Sequence, residues 1–244
     1  TEQEIFFSTY ICHPSMANNE CSGPALAAEL IRFVAGMKRH KYTYRFIFVP
    51  ETIGSISYMS TGDHLAHMKE SMLAGFNLSC DRDYSIVESK YADTLADRVL
   101  KNVLRYQSGG YSIYSFLKRG SDERQYNAPG IDLPVVCYCR SKFGEYPEYH
   151  TSADDMSLVS PMGFQGSYEV MTQVIQALEA NARYRVTVCG EPQLGKRGLY
   201  PTVSQKGSYD AVKSMTNFIA YADGRNDLID VSNMIDVPVS QLIP

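Results

Sequence analysis

The chain of 244 residues is 44% hydrophobic and 20% charged, which provides for one sizeable core and a small second domain. Its formal net charge of −4 gives no electrostatic reason to expect tight, non-specific nucleic-acid binding, which requires clustered Lys and Arg. We find neither a signal-peptide pattern nor an apolar run long enough to span a bilayer, and the six cysteines are irregularly spaced. We therefore expect a water-soluble, cytoplasmic protein with reduced thiols and no membrane partner, with a homo-oligomer as one option.

Strands and helices alternate along residues 1–188. Apolar runs predict strands at residues 5–11, 44–49, 72–80 and 133–138, and helical periodicity predicts helices at residues 23–37, 62–70, 93–106 and 162–182. This alternation favours an α/β domain with a mainly parallel sheet. Ligands and catalytic groups of such sheets lie at the carboxyl ends of the strands. His13, Glu51 and Asp81 each follow a predicted strand, so we expect them at that end of the sheet.

The character of the chain changes after about residue 188. Residues 190–207 are rich in Gly, Pro and Lys, as is typical of a linker with a short strand. Helices are predicted at residues 209–222 and 227–235, separated by a turn at Asp223 and Gly224, and a third helix begins near the end. This spacing indicates the first part of a helix-turn-helix or winged-helix module in residues 189–244. Because basic residues are few, we expect a structural or protein-contact role for this module and no nucleic-acid partner.

Two separate segments each place one histidine among turn-forming residues. They are residues 11–23 (ICHPSMANNECSG) and residues 146–155 (YPEYHTSADD), which contain His13 and His150. A histidine after a strand, followed by a polar turn and a helix start, is a common arrangement of metal ligands. The alternative for His13 is a loop contact through its two ring nitrogens. Together the two segments predict the halves of one metal site.

Acidic residues near these histidines complete the predicted site. Glu20 offers a carboxylate to a divalent ion, whereas Asn19 offers only a neutral amide oxygen. Asp154 and Asp155 follow His150 and either one could orient its imidazole.

Glu51 follows a buried strand in the sequence VPETIGS, where it is placed to take a proton from a metal-activated water. Two other roles remain open for Glu51, as the N-cap of the next turn or as a ligand. Asp81 and Asp122 are further acids in loops, and each taken alone is typical of a solvated charge.

Several motifs in one order indicate a family. HPSMANNECSGP, PETIGS, RGSDERQYNAPGIDLP and EYHTSADD resemble the aminopeptidase-like proteins of the M28 zinc-exopeptidase superfamily, specifically the group with a DUF4910 domain. EPQLGKRGLYPT and AYADGRNDLIDV resemble the winged helix-turn-helix that follows it. The resemblance implies a three-layer αβα sandwich with a mainly parallel mixed sheet, plus a small C-terminal α-helical winged-helix module. It also implies that an N-terminal part of the family domain, with an inserted β-rich subdomain, is missing from this chain.

The resemblance assigns roles to individual residues. His13 corresponds to the first-metal histidine, Glu51 to the general base and His150 to the distal histidine ligand. The family pattern has an Asp that bridges two metals where this chain has Asn19, and a second Glu where it has Thr52. For the Asp after a central strand, the candidates are Ser79 and Asp81.

These departures lead us to expect one zinc ion rather than two. His13, His150 and one carboxylate would hold it, with Glu20 the preferred third ligand and Asp81 another candidate. With Glu51, such a site would cleave an amide bond of a peptide or aminoacyl substrate. The alternatives are a metal-free binding scaffold for an aminoacyl or sugar-linked ligand, and a regulator that signals through the helix-turn-helix. Arg119 and Arg124 are candidates to line a pocket for a carboxylate or sugar.

Overall fold

The computed structural model describes residues 2–79, 83–200 and 208–243. The chain divides into two compact units, Thr1–Ile175 and Gln176–Pro244. Asp81, one of the predicted ligands, lies outside the described residues.

The first unit is built on a mixed six-stranded sheet. Its strands are β1 (Glu4–Tyr10), β2 (Thr43–Val49), β3 (Met72–Ser79), β4 (Tyr84–Val87), β5 (Ser112–Tyr114) and β6 (Val135–Arg140), in the order β2-β1-β3-β6-β4-β5. Neighbouring strands are parallel except β4 and β6, which are antiparallel. The predicted mainly parallel sheet is therefore confirmed. The predicted strand at residues 133–138 begins two residues later because Pro134 has no N–H to donate to the sheet.

Helices connect and cover these strands. They are α1 (Ser22–Gly36), α2 (Ile53–Ser60), α3 (His64–Ser71), α4 (Leu95–Arg105), α5 (Glu123–Tyr126) and α6 (Pro161–Ala180), the last of which runs past the boundary between the units. Every residue of β1 is buried although successive side chains point to opposite faces. Both faces of the central sheet are therefore covered, as an αβα sandwich requires.

Stacked aromatic side chains fill the centre of the sheet. Phe7 stacks between Phe46 and Phe76, with ring centroids 4.8 and 5.4 Å away. Phe7 and Phe76 are fully buried, and burial of each side chain contributes on the order of 2 kcal/mol to the stability of the fold.

A glycine allows the start of α1 to pack closely on the sheet. A Cβ on Gly23 would clash with the Thr9 hydroxyl and lie 2.7 Å from the Leu78 carbonyl oxygen. Glycine at this position thus allows α1 to approach the carboxyl ends of β1 and β3 closely.

The second unit is small and mainly helical. It contains β7 (Arg183–Arg185), which is antiparallel to β8 (Asp223–Asp227), and helices α7 (Ser208–Tyr221) and α8 (Leu228–Ile235). Asp227 caps α8, and Leu228, Ile229 and Val231 are buried. The two predicted helices are confirmed, but the predicted turn at residues 223–224 is the start of β8. Pairing with β7, which local sequence does not reveal, makes this segment a strand.

Two general expectations concern the described ranges. The cysteines at positions 12, 21, 137, 139 and 189 are free thiols. None of the helices in these ranges combines the length and apolar character needed to span a bilayer.

Candidate metal and catalytic site

Four of the predicted site residues line one cavity of about 110 Å³. It lies at the carboxyl ends of β1 and β2, which are parallel neighbours. The four are His13, Glu20, Glu51 and His150. The remaining lining residues are Tyr10, Asn19, Gly120, Ser121, Phe143 and Tyr149. The structure therefore brings two carboxylates together with two histidines that are far apart in the sequence of the first unit.

A single π-helical turn returns Glu20 to the end of β1. The turn spans Ala17–Cys21 and runs directly into α1. Glu20 is only 3% exposed, and one of its carboxylate oxygens accepts the backbone N–H of Cys12 at 2.8 Å. The other lies 2.8 Å from Nδ1 of His13 and accepts the Asn19 amide N–H at 3.2 Å. Single π-turns are frequent at functional sites, and this one directs a buried carboxylate at a histidine.

Three potential metal-ligand atoms lie close together beside the cavity. Candidate ligand atoms of Cys12, His13 and Glu20 all lie within 4.8 Å of one another. Thiolate, imidazole and carboxylate are all zinc ligands, with bonds of about 2.0–2.3 Å. The Cys12 sulfur also accepts the backbone N–H of Glu51 at 3.4 Å. Burial, reinforced by the charge of Glu20, raises the pKa of the Cys12 thiol to about 11. Sequence reasoning missed Cys12, although its position next to His13 was a signal.

His150 faces His13 across the cavity. Their ring centroids are 4.9 Å apart, and His150 stacks on Tyr149 with centroids 4.0 Å apart. His150 has a left-handed backbone with φ of 56°, which is uncommon for residues other than glycine. It lies beside the group of three donors and is not a member of it.

The prediction that Asp154 or Asp155 orients the imidazole of His150 is wrong. The Asp154 carboxylate is buried and accepts the backbone N–H groups of Asn18 at 2.7 Å and Asn19 at 3.0 Å. Asp155 is exposed and accepts the backbone N–H of Ser157. The first backbone N–H groups of a helical segment have no acceptor within the segment. Here the Asp154 carboxylate is the acceptor for two of them. Asp154 thus fastens the segment of His150 to the π-turn of Glu20.

The residues at two positions where the resemblance leads us to expect metal ligands, Asn19 and Thr52, have other partners. Asn19 donates its side-chain N–H to Glu20, and its amide oxygen lies 3.5 Å from the Tyr10 hydroxyl. The Tyr10 hydroxyl forms a short hydrogen bond with Ser79. Thr52 accepts a short hydrogen bond from the guanidinium of Arg124. The neutral side chains of Asn19 and Thr52 are therefore hydrogen-bonded to other side chains of the protein.

Arg124 also holds Glu51. The same guanidinium nitrogen lies 3.0 Å from Oε1 of Glu51, and both side chains are partly exposed. Helix α2 starts at Ile53 without a side-chain cap, so the N-cap role considered for Glu51 is wrong. Thr52 has φ of 62°, an outlier for a β-branched residue, and this backbone directs its N–H at Asp122.

Two buried carboxylates, Asp122 and Glu123, hold backbone segments next to Glu51 and along the cavity. Asp122 is fully buried, which corrects the expectation of a solvated loop charge. It accepts the N–H of Thr52 at 2.8 Å and the hydroxyl of Ser55 at 2.7 Å. Burial raises the pKa of Asp122 to about 6. Glu123 accepts the backbone N–H groups at positions 120 and 121, and burial raises its pKa too.

Comparison with known proteins identifies the family. Residues 1–181 match a family model described as a domain of unknown function, DUF4910, and residues 182–244 match a winged helix-turn-helix. The chain belongs to the DUF4910 family. A Clostridium acetobutylicum protein, described provisionally as a polysaccharide biosynthesis protein with an aminopeptidase-like domain, is 38% identical over 237 residues. The match covers 95% of this chain and 53% of that protein.

Solved structures agree with the αβα fold. A C. acetobutylicum protein described provisionally as a peptidase has a TM-score of 0.86 at 33% identity, covering 99% of this chain and 54% of the other. A zinc aminopeptidase from Bacillus subtilis has a TM-score of 0.57 at 16% identity, covering 73% and 47%. The predicted aminopeptidase-like fold and the winged helix-turn-helix region are thus confirmed. The chain spans about half the length of these relatives.

Proposed function

We propose that this chain carries a zinc-dependent hydrolytic centre of the aminopeptidase type, which cleaves an amide bond of a peptide or aminoacyl substrate. One observation carries the proposal: His13, Glu20, His150 and Glu51 line the same small cavity at the carboxyl ends of two parallel strands. Such a cavity, with ligand types and a carboxylate base together, has the composition of a metal-assisted hydrolase site.

The donor set fits one zinc ion. His13, Glu20 and His150 would hold it, with the Cys12 sulfur close enough to be a further ligand. When bound, zinc would polarise the substrate carbonyl and acidify a water molecule. A second cation is disfavoured because the Arg124 guanidinium, itself a cation, contacts both Glu51 and Thr52.

Glu51 is the proposed general base. Its carboxylate would accept a proton from water and deliver it to the leaving amine. Arg124 would keep this carboxylate oriented toward the cavity through the contact at 3.0 Å. The buried acceptor Asp122 holds the backbone of Thr52, and therefore the turn that carries Glu51.

The test is hydrolysis of aminoacyl and peptide amides by the zinc-loaded full chain. Because a relative is named for polysaccharide biosynthesis, sugar-linked aminoacyl amides belong in the same screen. We expect zinc-dependent release of amine that falls at least about 100-fold in Glu51→Gln. Glu145→Gln, an exposed site that does not line the cavity, is the matched control and should keep full activity. Activity that survives Glu51→Gln, or no hydrolysis of any amide, would contradict the proposal.

A second candidate is a binding protein without catalysis. The ion pair of Glu51 with Arg124 favours it, because the carboxylate proposed as the base is already bound by a cation of the protein. Under this alternative, aminoacyl or sugar-linked ligands would bind without turnover, with the helix-turn-helix region available to transmit the binding. The free thiols accord with a cytoplasmic location, which we propose for either function.

A further inference from the structure

A second and larger cavity adjoins the site. Its volume is about 650 Å³, within the range of about 300–1,000 Å³ that is usual for ligand pockets. We name it the side pocket. It lies between the segment around Lys90, the short helical turn that starts at Phe116, and helix α5.

One loop joins the side pocket to the candidate site. Arg119 and Arg124 line the side pocket, whereas Gly120 and Ser121, between them in sequence, line the small cavity. Arg124 contacts Glu51 at 3.0 Å. A substrate with its amide bond at Glu51 would therefore have the side pocket within reach of its adjoining group.

Three of the four charged residues that line the side pocket have an ion-pair partner within the described part of the chain. Glu88 pairs with Lys101 at 2.5 Å and Lys90 pairs with Asp132 at 2.5 Å. Arg124 pairs with Glu51.

Arg119 differs from these residues. It is exposed, and its contacts are with Phe116, through the backbone carbonyl oxygen at 3.3 Å and the ring centroid at 4.8 Å. It has no acidic partner among the residues that the structure describes. An arginine held on an aromatic ring with its remaining N–H groups free can donate to a carboxylate or phosphate.

Apolar surface surrounds this cation. Phe116, Leu117, Ala92 and Pro129 line the side pocket, and Leu117 is 83% exposed. A hydrocarbon stem would bury part of this surface. We propose that the side pocket binds the anionic end of the substrate's side group, an oxyacid on an apolar stem, through Arg119. The inference rests on the proposed function for the amide bond at Glu51, and it specifies an acidic substrate class.

The experiment compares matched dipeptides by titration calorimetry on the full chain without added zinc. Ala-Glu and Glu-Ala are measured against Ala-Gln and Gln-Ala, with the integrity of each ligand checked by NMR. We expect the glutamate dipeptide to bind about five- to tenfold more tightly in one of the two orders, and less so at high salt. Arg119→Gln should abolish this preference. Lys118→Gln, next in sequence but absent from the side pocket, should retain it.

A further pair identifies the oxyacid. The affinity ratio of Ala-phosphoserine to Ala-serine is compared with the affinity ratio of the glutamate to the glutamine dipeptide. If the first ratio is larger and depends on Arg119 in the same way, the anion is a phosphate; otherwise it is a carboxylate. Equal affinity for ligands with charged and with neutral side chains would overturn the inference. A preference that survives Arg119→Gln, or no binding of any ligand, would overturn it as well. An Arg119-dependent preference without hydrolysis by the zinc-loaded chain would reject the proposed function alone.

Discussion

The two halves of the candidate site are built in different ways. The hydrogen bond of His13 is local: Glu20, seven residues away, lies 2.8 Å from Nδ1 of the histidine. The ion pair of Glu51 is distant, because Arg124 comes from 73 residues farther along the chain. The local half resembles a preformed ligand set, whereas the distant half depends on the packing of two separate loops. The hydrogen bond of His13 therefore depends on one short segment, whereas the ion pair of Glu51 depends on contacts across the fold.

The contact with the largest expected effect joins the local half to His150. Asp154→Ala would leave the N–H groups of Asn18 and Asn19 without their buried acceptor. Because an unsatisfied buried group costs about 1–3 kcal/mol, we expect a loss of about 3 kcal/mol in the free energy of unfolding. Denaturant unfolding measures it, with the exposed Asp155→Ala as the matched control. A loss below about 1 kcal/mol would show that the π-turn does not need this carboxylate.

Close packing behind the local half gives the next effect. Gly23→Ala would press a methyl group against Thr9 and the Leu78 carbonyl, and overpacking of this kind costs about 1–3 kcal/mol. Gly36→Ala on the same helix meets nothing within 4 Å and should be neutral or stabilising. Thermal unfolding of both variants checks the difference. Equal stability of the two variants would contradict the close approach of α1.

The distant half contains a pH-dependent element. Burial, assisted by Glu51 and Glu123, raises the pKa of Asp122 to about 6, whereas the unfolded carboxyl titrates near its ordinary value. The folded state therefore holds a proton that the unfolded state releases, and stability falls as the pH rises from about 4 to 6.

Asp122→Asn removes this proton linkage. Its free energy of unfolding relative to the original chain should rise by about 2 kcal/mol between pH 4 and pH 7. Urea titrations across that range provide the measurement. A difference that is constant with pH would mean that Asp122 is hydrated and titrates normally.

The smallest expected effect concerns Arg124 as a positioning residue. Arg124→Gln would release Glu51 and Thr52, and we expect kcat to fall about tenfold with KM and zinc content nearly unchanged. Arg124→Lys should recover part of kcat, since it restores the charge without the planar fork. A rise in kcat would instead show that the ion pair restrains the base.

Sequence reasoning located the local half of the site better than the distant half. The strand before His13 and the helix after Gly23 follow from apolar periodicity, so the position of His13 at the sheet end was predictable. The π-turn was not, since its geometry depends on Asp154, which lies 136 residues from Asn18.

The distant half has no comparable local pattern. The burial of Asp122 and the contact of Arg124 with Glu51 both arise from the position of α5 in the fold. The short strands β4 and β5 were missed for a similar reason, because their pairing partners are distant in sequence.

The measurement that tests the central claim most directly is a zinc titration of the full chain by calorimetry and elemental analysis. We expect one zinc per chain, with affinity lowered at least about 100-fold in His13→Ala, Glu20→Gln and His150→Ala. His40→Ala, which changes an exposed histidine that does not line the cavity, should bind zinc as the original chain does. No bound zinc, or binding that all three site variants retain, would contradict the account.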